Sequence, residues 1–534
     1  MTPVWPSNCL ISSMVYRQKL SLLLLTGAVA ITRFVFRSHY LYDVDSVNFA
    51  LAMQRFDPRV HQPHPPGYFL YICVGRLLNI IFHDANLALV VLGIVASCGV
   101  AVVIYKMTLD WFGPMAAQFA GIFFLLSPLA WFHGIVALTY IVEAFFSGFL
   151  GYLCWRIYCG RAGYILPAAI VLGVSAGVRP SSLVFLAPLF LFSLQNAPPK
   201  GRWMGLAALI LTLTAWFVPM IAASGGLNAY FDALASLWRM VPSKGTVFNS
   251  SPANSIARAF IILFIYGLSF GVASLAPLGA LASTAQIDPR KKIFTFVWIG
   301  PALCFFTFGY LKFVNSGYLL LLCAPACMWL GLWASEWYKS SAWPRWLKLT
   351  AIGVSAAVNV LTFVASPFYC SYREVRRFEA ELESIKTALP QVGSARDTLI
   401  LSFDSHFNGF RHAGYYLPDY LTVEYPEAHL KEGPRIFSMC ERDTRLVTAL
   451  PSAPYTRFVM FPLPDGDSYK EYIQKVIDRL PGKTLRTARF GGHEFVTGSI
   501  SDLPLLFPEA TLATEPSVYV PLHPGMLPVN SRSH

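Results

Sequence analysis

The stretch LYDVDSVNFALAMQRFDPRVHQPHPPGY, Leu41 to Tyr68, decides how the rest of the chain is read. It follows the first long apolar segment. It gathers Asp43, Asp45 and Asp57 with Arg55, Arg59, His61 and His64. Ionisable groups beside a bilayer are costly unless solvated, paired or put to use. Pro65 and Pro66 bar helix continuation, and Gly67 permits a tight reversal or close backbone approach. The stretch therefore reads as a polar, constrained loop between apolar segments.

Composition fixes the surroundings of that loop. Of the 534 residues, 55% are hydrophobic and 13% charged, against about 25% charged in a soluble domain. This is the composition of an integral membrane protein. The net charge of +12 would suggest nucleic acid in a soluble protein. Here it follows from basic residues collecting in cytoplasmic loops, with an anionic lipid or phosphate substrate as a second source. The ten cysteines show no CxxC and no metal-ligand spacing, and most sit in apolar runs as small hydrophobes. Cys370 and Cys440 lie beyond the membrane part. They can pair if that region is extracytoplasmic, and are free thiols otherwise.

Apolar segments fall at roughly 20–36, 67–82, 85–105, 115–133, 138–155, 163–178, 182–194, 203–222, 259–283, 293–311, 317–335 and 347–367. The N-terminal Arg17 and Lys19, the run from Leu20 and Ala28-Val29-Ala30 imitate a signal peptide. The apolar character continues through Phe36, which points to an uncleaved first span. Basic loops occur at Arg156–Arg161, Lys200–Arg202, Arg290–Lys292 and Lys339–Lys348. If 67–82 lies at the surface or re-enters, all four fall inside with an inside N-terminus, as the positive-inside rule favours. Twelve spans with an outside N-terminus is the competing solution.

The expected architecture is mostly α: a polytopic helical membrane protein of about 11 spans, comprising residues 1–368, with a first outer loop at 37–84. Residues 369–534 have ordinary soluble composition. They read as a small extracytoplasmic α/β domain, with a helix over Tyr372–Thr387, strands at Asp397–Ser402, Arg457–Phe461 and His493–Thr497, and a Pro-rich tail from Pro504.

Asp43 and Asp45 lead the candidates for chemistry. Either can serve as a general base taking a proton from an acceptor hydroxyl; the alternative is a pair of solvated carboxylates bridged to Arg37 or Arg55. His61 and His64 can bind a metal or hydrogen-bond a phosphate, or face water on a rigid turn.

An acidic loop after the first span, followed by HPPG before an apolar helix, resembles the GT-C superfamily of membrane glycosyltransferases, in particular the protein O-mannosyltransferase-like branch. FLLSPLAWFHGIVALTYIVE (Phe124–Glu143), GVRPSSLVFLAPL (Gly177–Leu189), GYLLLLCAP (Gly317–Pro325) and YYLPDY (Tyr415–Tyr420) resemble further segments of that branch, in order. The resemblance implies an inverting transfer of a sugar from a polyprenyl-phosphate donor to a lipid, glycan or protein acceptor at the extracytoplasmic face of a bacterial plasma membrane. It implies Asp45 as base, with Asp43 second. The branch often carries adjacent Asp-Glu where this chain has Asp-Val-Asp, so the choice between the two stays open.

In such a reaction the departing phosphate needs positive charge. Arg179, at a span end before Pro180, offers a planar fork for phosphate oxygens, or else snorkels to headgroups. Arg258 and Lys312 follow, then Arg239 and Lys244. Glu143 orients the acceptor or a cation, or is a carboxylate at a helix start. Trp131, Tyr140, Trp238 and Tyr318 stack on a sugar or belong to an aromatic belt. The family places a mobile lid in the loop Ser224–Arg258; the alternative is a surface helix resting on headgroups. A divalent cation is a possible cofactor that no spacing demands. A transporter for a lipid-linked sugar would show paired intramembrane charges and repeat symmetry, neither of which is visible in the sequence. A non-catalytic receptor would tolerate loss of both aspartates.

Overall fold

The computed structural model describes residues 7–240, 253–254, 256–257, 260, 287–309, 313–341, 343–367, 370–402, 407–424, 436–447, 455–460, 486–490 and 493–502. Its helices are α1 (Ser7–Val35), α2 (Val44–Gln54), α3 (Phe69–Phe82), α4 (Ala85–Phe112), α5 (Pro114–Leu126), α6 (Pro128–His133), α7 (Tyr140–Tyr158) and α8 (Ile165–Val178). They continue with α9 (Ser181–Ser193), α10 (Pro199–Ala223), α11 (Leu227–Met240), α12 (Pro289–Cys304), α13 (Cys323–Lys339), α14 (Arg345–Ala365), α15 (Tyr372–Val392) and α16 (Phe410–Tyr416).

The chain divides into two compact units. One holds Met1–His39, Tyr68–Met220 and Trp238–Val375; the other holds Tyr40–Gly67, Ile221–Leu237 and Arg376–His534. The loop that opens the sequence argument thus belongs with the C-terminal residues, not with the helices that flank it.

The first unit is helical. Among the described residues, five helices are long and apolar enough to cross a membrane: Tyr16–Val35, Ala85–Phe112, Pro199–Ala223, Gly317–Lys339 and Arg345–Ala365. Shorter apolar helices cover Phe69–Phe82, Pro114–Leu126, Ala162–Val178 and Ser181–Asn196. This is the build of an integral membrane protein. Apart from residue 260, the segment expected at 259–283 lies outside the described residues. Helix α3, at 14 residues, is about 21 Å long at 1.5 Å per residue, short of a hydrocarbon core of ~30 Å.

Small residues let these helices approach closely. At Gly331 of α13 an added Cβ would meet the Ala116 carbonyl oxygen of α5 at 2.5 Å. The segment expected as one helix over 115–133 is two, because Pro128 has no N–H to return to Phe124 and the chain turns at Ser127. Arg33 of α1, fully buried, supplies the missing donors. Its Nη1 donates to the Leu125 carbonyl at 2.9 Å and its Nη2 to Phe124 at 3.4 Å, while the guanidinium lies 5.1 Å over the Trp131 ring.

The second unit is built on a seven-stranded sheet in the order β4-β3-β2-β1-β5-β7-β6. Its strands are β1 (Thr398–Ser402), β2 (Thr422–Glu424), β3 (Ile436–Cys440), β4 (Asp443–Val447), β5 (Arg457–Met460), β6 (Arg486–Phe490) and β7 (His493–Ser499). Every residue of TLILS in β1 is buried, as a strand covered on both faces requires. It pairs in parallel with β2, Ile400 opposite Thr422, and with β5, Ile400 opposite Val459; the other pairings are antiparallel. Ile385, Ala388 and Leu389 of α15 pack with Ile400, Val459, Ala413 and Phe495 in one apolar core. The helix expected over 372–387 and the strands expected near 397, 457 and 493 are all present. Cys370 and Cys440 are not joined by a disulfide.

Candidate active site

In the second unit the polar loop is organised by its own carboxylates. Asp43 is the N-cap of α2, and its Oδ1 accepts from the Asp45 backbone N–H at 2.9 Å, satisfying a donor the helix leaves open. The carboxylate is nearly buried, 5% exposed. Asp45 is one residue into the helix, with its carboxylate about a third exposed and Oδ1 3.2 Å from His64 Nδ1. Asp57 caps the 3₁₀ turn Pro58–Val60 and holds Arg59 bidentately, Oδ1 to Nε at 2.8 Å and Oδ2 to Nη2 at 2.9 Å. Backbone bonds between Asp57 and Gln62 close that turn. The Gln62–Pro63 and Pro65–Pro66 peptides are cis, and Tyr230 of α11 donates its hydroxyl proton to the Pro66 carbonyl at 3.1 Å.

The two aspartates expected to share one role therefore differ. One carboxylate builds the helix start; the other faces a histidine and water. His61 packs its ring 5.5 Å from Phe437. Burial, with Arg411 and His64 nearby, pushes its pKa down to about 3. It is neutral at physiological pH, able to hydrogen-bond but carrying no charge for a phosphate.

The first unit contains a second polar cluster. Arg179 ends α8 and is 4% exposed, so it does not reach out to headgroups. Its Nε lies 3.3 Å from Glu143 Oε2, and its Nη1 donates to Thr139 Oγ1 at 2.9 Å. Glu143 is 2% exposed and accepts from Ser182 Oγ at 2.8 Å. The guanidinium lies over the rings of Tyr140 at 4.2 Å, Tyr318 at 4.4 Å and Tyr68 at 5.9 Å. Tyr140 and Tyr318 are thus cage walls around a cation, not members of a belt. Gly317 makes this possible, since a Cβ there would run into the Tyr140 ring. Trp131 stacks on Phe363 at 4.2 Å.

Arg258, Lys312 and Lys244 lie outside the described residues, as do the side chains of Arg239 and Trp238 and residues 241–252 of the expected lid. Among the described residues no group of three or more His, Cys, Asp or Glu side chains is assembled for a metal. Sequence reading passed over Tyr68, Thr139, Ser182 and His133. His133 is fully buried beside Tyr140, ring centroids 4.9 Å apart, with no hydrogen-bond partner for either nitrogen among the described residues. A histidine inside an apolar run is the one signal that pointed to it.

No protein-family model and no curated relative matches the chain. Solved structures do. ArnT from Cupriavidus metallidurans bound to undecaprenyl phosphate superposes with a TM-score of 0.57 at 12% identity, over 89% of this chain and 97% of that one. The same protein in the apo state gives 0.56 at 14% identity over the same shares. The Archaeoglobus fulgidus oligosaccharyltransferase gives 0.42 at 12% identity, over 76% of this chain and 64% of that one. Correspondence with ArnT over nearly the whole of both chains defines the fold class. The chain shares the fold of ArnT.

Proposed function

We propose that this protein transfers a sugar from a polyprenyl-phosphate donor to a hydroxyl group of a lipid, glycan or protein acceptor at the extracytoplasmic membrane face. Asp45 is the general base. The acceptor oxygen attacks the anomeric carbon, the carbon–phosphate oxygen bond breaks, and the acceptor proton passes to the Asp45 carboxylate. A single displacement inverts the anomeric centre. A lipid phosphate leaves readily, so one carboxylate suffices where glycoside hydrolysis needs two. Arg179, Arg258 and Lys312 are the cations proposed to meet the departing phosphate, and Glu143 keeps the Arg179 fork oriented. The observation that carries this reading is the difference between the two loop carboxylates, Asp43 used as a cap and Asp45 facing His64, on a GT-C fold.

The test is transfer from defined polyprenyl-phosphate sugars by purified wild type, Asp45→Asn and Asp43→Asn. Asp45→Asn is expected to lose about 10²- to 10⁴-fold in kcat, and Asp43→Asn much less. Full turnover in the double variant sinks the proposal. EDTA is expected to leave the rate unchanged, because a carboxylate alone can take the proton. A rate lost on chelation and restored by a divalent cation would reassign Asp43 and Asp45 to holding that ion.

The buried Arg179–Glu143 pair is one of the two features a transporter reading calls for. Movement of a labelled lipid-linked sugar across vesicles without transfer would favour that reading.

A further inference from the structure

The two limbs of the polar loop, one carrying Asp45 and the other His64, are both gripped by elements at the far end of the chain. Leu41, just before the aspartates, donates its N–H to the Tyr416 hydroxyl at 2.7 Å, and its carbonyl lies 3.1 Å from His412 Nε2. On the returning limb, Arg411 Nη2 donates to the Val60 carbonyl at 2.8 Å. Those three partners all sit on α16. The β3–β4 hairpin holds the same limb. Arg55 Nη1 pairs with Asp443 Oδ1 at 2.8 Å, and Arg55 Nη2 donates to the Thr444 carbonyl at 2.6 Å.

Thr444 is the node. Its hydroxyl oxygen accepts from Gln62 Nε2 at 2.6 Å and from Arg411 Nη1 at 3.0 Å. A hydroxyl has two acceptor lone pairs, and both are used, one by the loop and one by the helix that holds the loop. Thr444 is fully buried, Gln62 is 1% exposed and Arg411 is 4% exposed. None of these polar groups has water to replace a lost partner. The turn of the hairpin is reached through Glu441 and Arg442, both at positive φ, which delivers Asp443 and Thr444 to the loop as adjacent residues.

We infer that Thr444, with Arg411, is a positioning residue: the C-terminal unit serves as the mould that sets the Asp45–His64 geometry. The catalytic arm of this inference rests on the transferase reading. The mould itself does not. Acceptor binding by the sheet is not required by it.

Thr444→Val keeps the side-chain shape and removes both acceptor positions; Thr444→Ser keeps them. In the transfer assay with a defined polyprenyl-phosphate sugar, Thr444→Val is expected to lower kcat by about 10- to 100-fold, the cost of a misplacement near 1 Å. The donor KM should stay at the wild-type value; the unfolding temperature should fall, because buried Gln62 and Arg411 lose an acceptor, and Thr444→Ser should restore both kcat and stability. Alongside it, limited trypsin digestion of folded full-length protein reads cleavage after Arg55 and Arg59, faster in Thr444→Val and wild-type in Thr444→Ser. Wild-type kcat in Thr444→Val, or a loss that disappears when the assay is run well below the variant's unfolding temperature, overturns the inference. If wild type transfers no sugar, the transferase reading fails, and the digestion arm alone decides whether the hairpin holds the loop.

Discussion

At the scale of single residues, the closest neighbours in sequence carry the most divergent roles. Asp43 and Asp45 are two positions apart, yet one caps a helix and the other faces His64 with its carboxylate about a third exposed. Asp43→Ala is therefore expected to lower stability by about 1 kcal/mol, and Asp43→Asn, which keeps a capping oxygen, to leave it near wild type; thermal unfolding in detergent measures both. His61 gives a pH signature. Its folded pKa, about 3, lies below the ordinary histidine value of ~6.5, so the unfolded chain binds the extra proton. Stability from this group is complete above the unfolded value and is lost as pH falls from there toward the folded one. Unfolding temperatures between pH 7 and pH 4 are expected to fall less steeply in His61→Gln than in wild type. Equal slopes would show that the ring is solvated.

At the scale of elements, the packing depends on missing side chains. Gly331 sits against the backbone of α5, where no flexible neighbour can yield, so Gly331→Val is expected to cost about 1–3 kcal/mol through overpacking. Gly317→Ala tests something different. Its Cβ would displace the Tyr140 ring, which lies against Arg179. Transfer is expected to fall about tenfold or more while the protein still purifies as a folded membrane protein. An unchanged rate would remove the aromatic cage from the mechanism. The break at Ser127 shows why such details escape a hydropathy reading. The run 115–133 is apolar throughout, and only the lost donor at Pro128 and the distant Arg33 reveal two helices where one was expected.

At the scale of the whole molecule, what the sequence made legible was what depends on local pattern. The apolar spans, the change to soluble composition near 370, the helix over 372–387 and three of the strands all follow from runs and periodicity. The short β2, and β3, β4 and β6, lie in stretches without strong alternation; β2 and β6 form on the edges of β1 and β7, and β3 and β4 extend the sheet beyond β2. The polar loop was found from its charges, but its allegiance was not. Nothing in residues 40–67 announces that they pack with residues 376–502. Arg179 was legible as a cation at a span end, for a phosphate or for headgroups, but its burial was not, because its tyrosines come from three separate segments. A chain ending at Val375 is expected to insert in the membrane and to transfer no sugar above background, as measured in proteoliposomes; retained turnover would show the loop to be self-sufficient.

Synthesis order gives that allegiance a temporal meaning. Leu41 leaves the ribosome 371 residues ahead of His412, and Gln62 precedes Thr444 by 382. At about 5–20 residues per second, the early segment waits roughly 20 to 80 s for the groups that shape it. Every translation intermediate shorter than that carries the polar loop without the groups that hold it, so on the proposed transferase reading a half-made chain cannot yet turn over donor lipid.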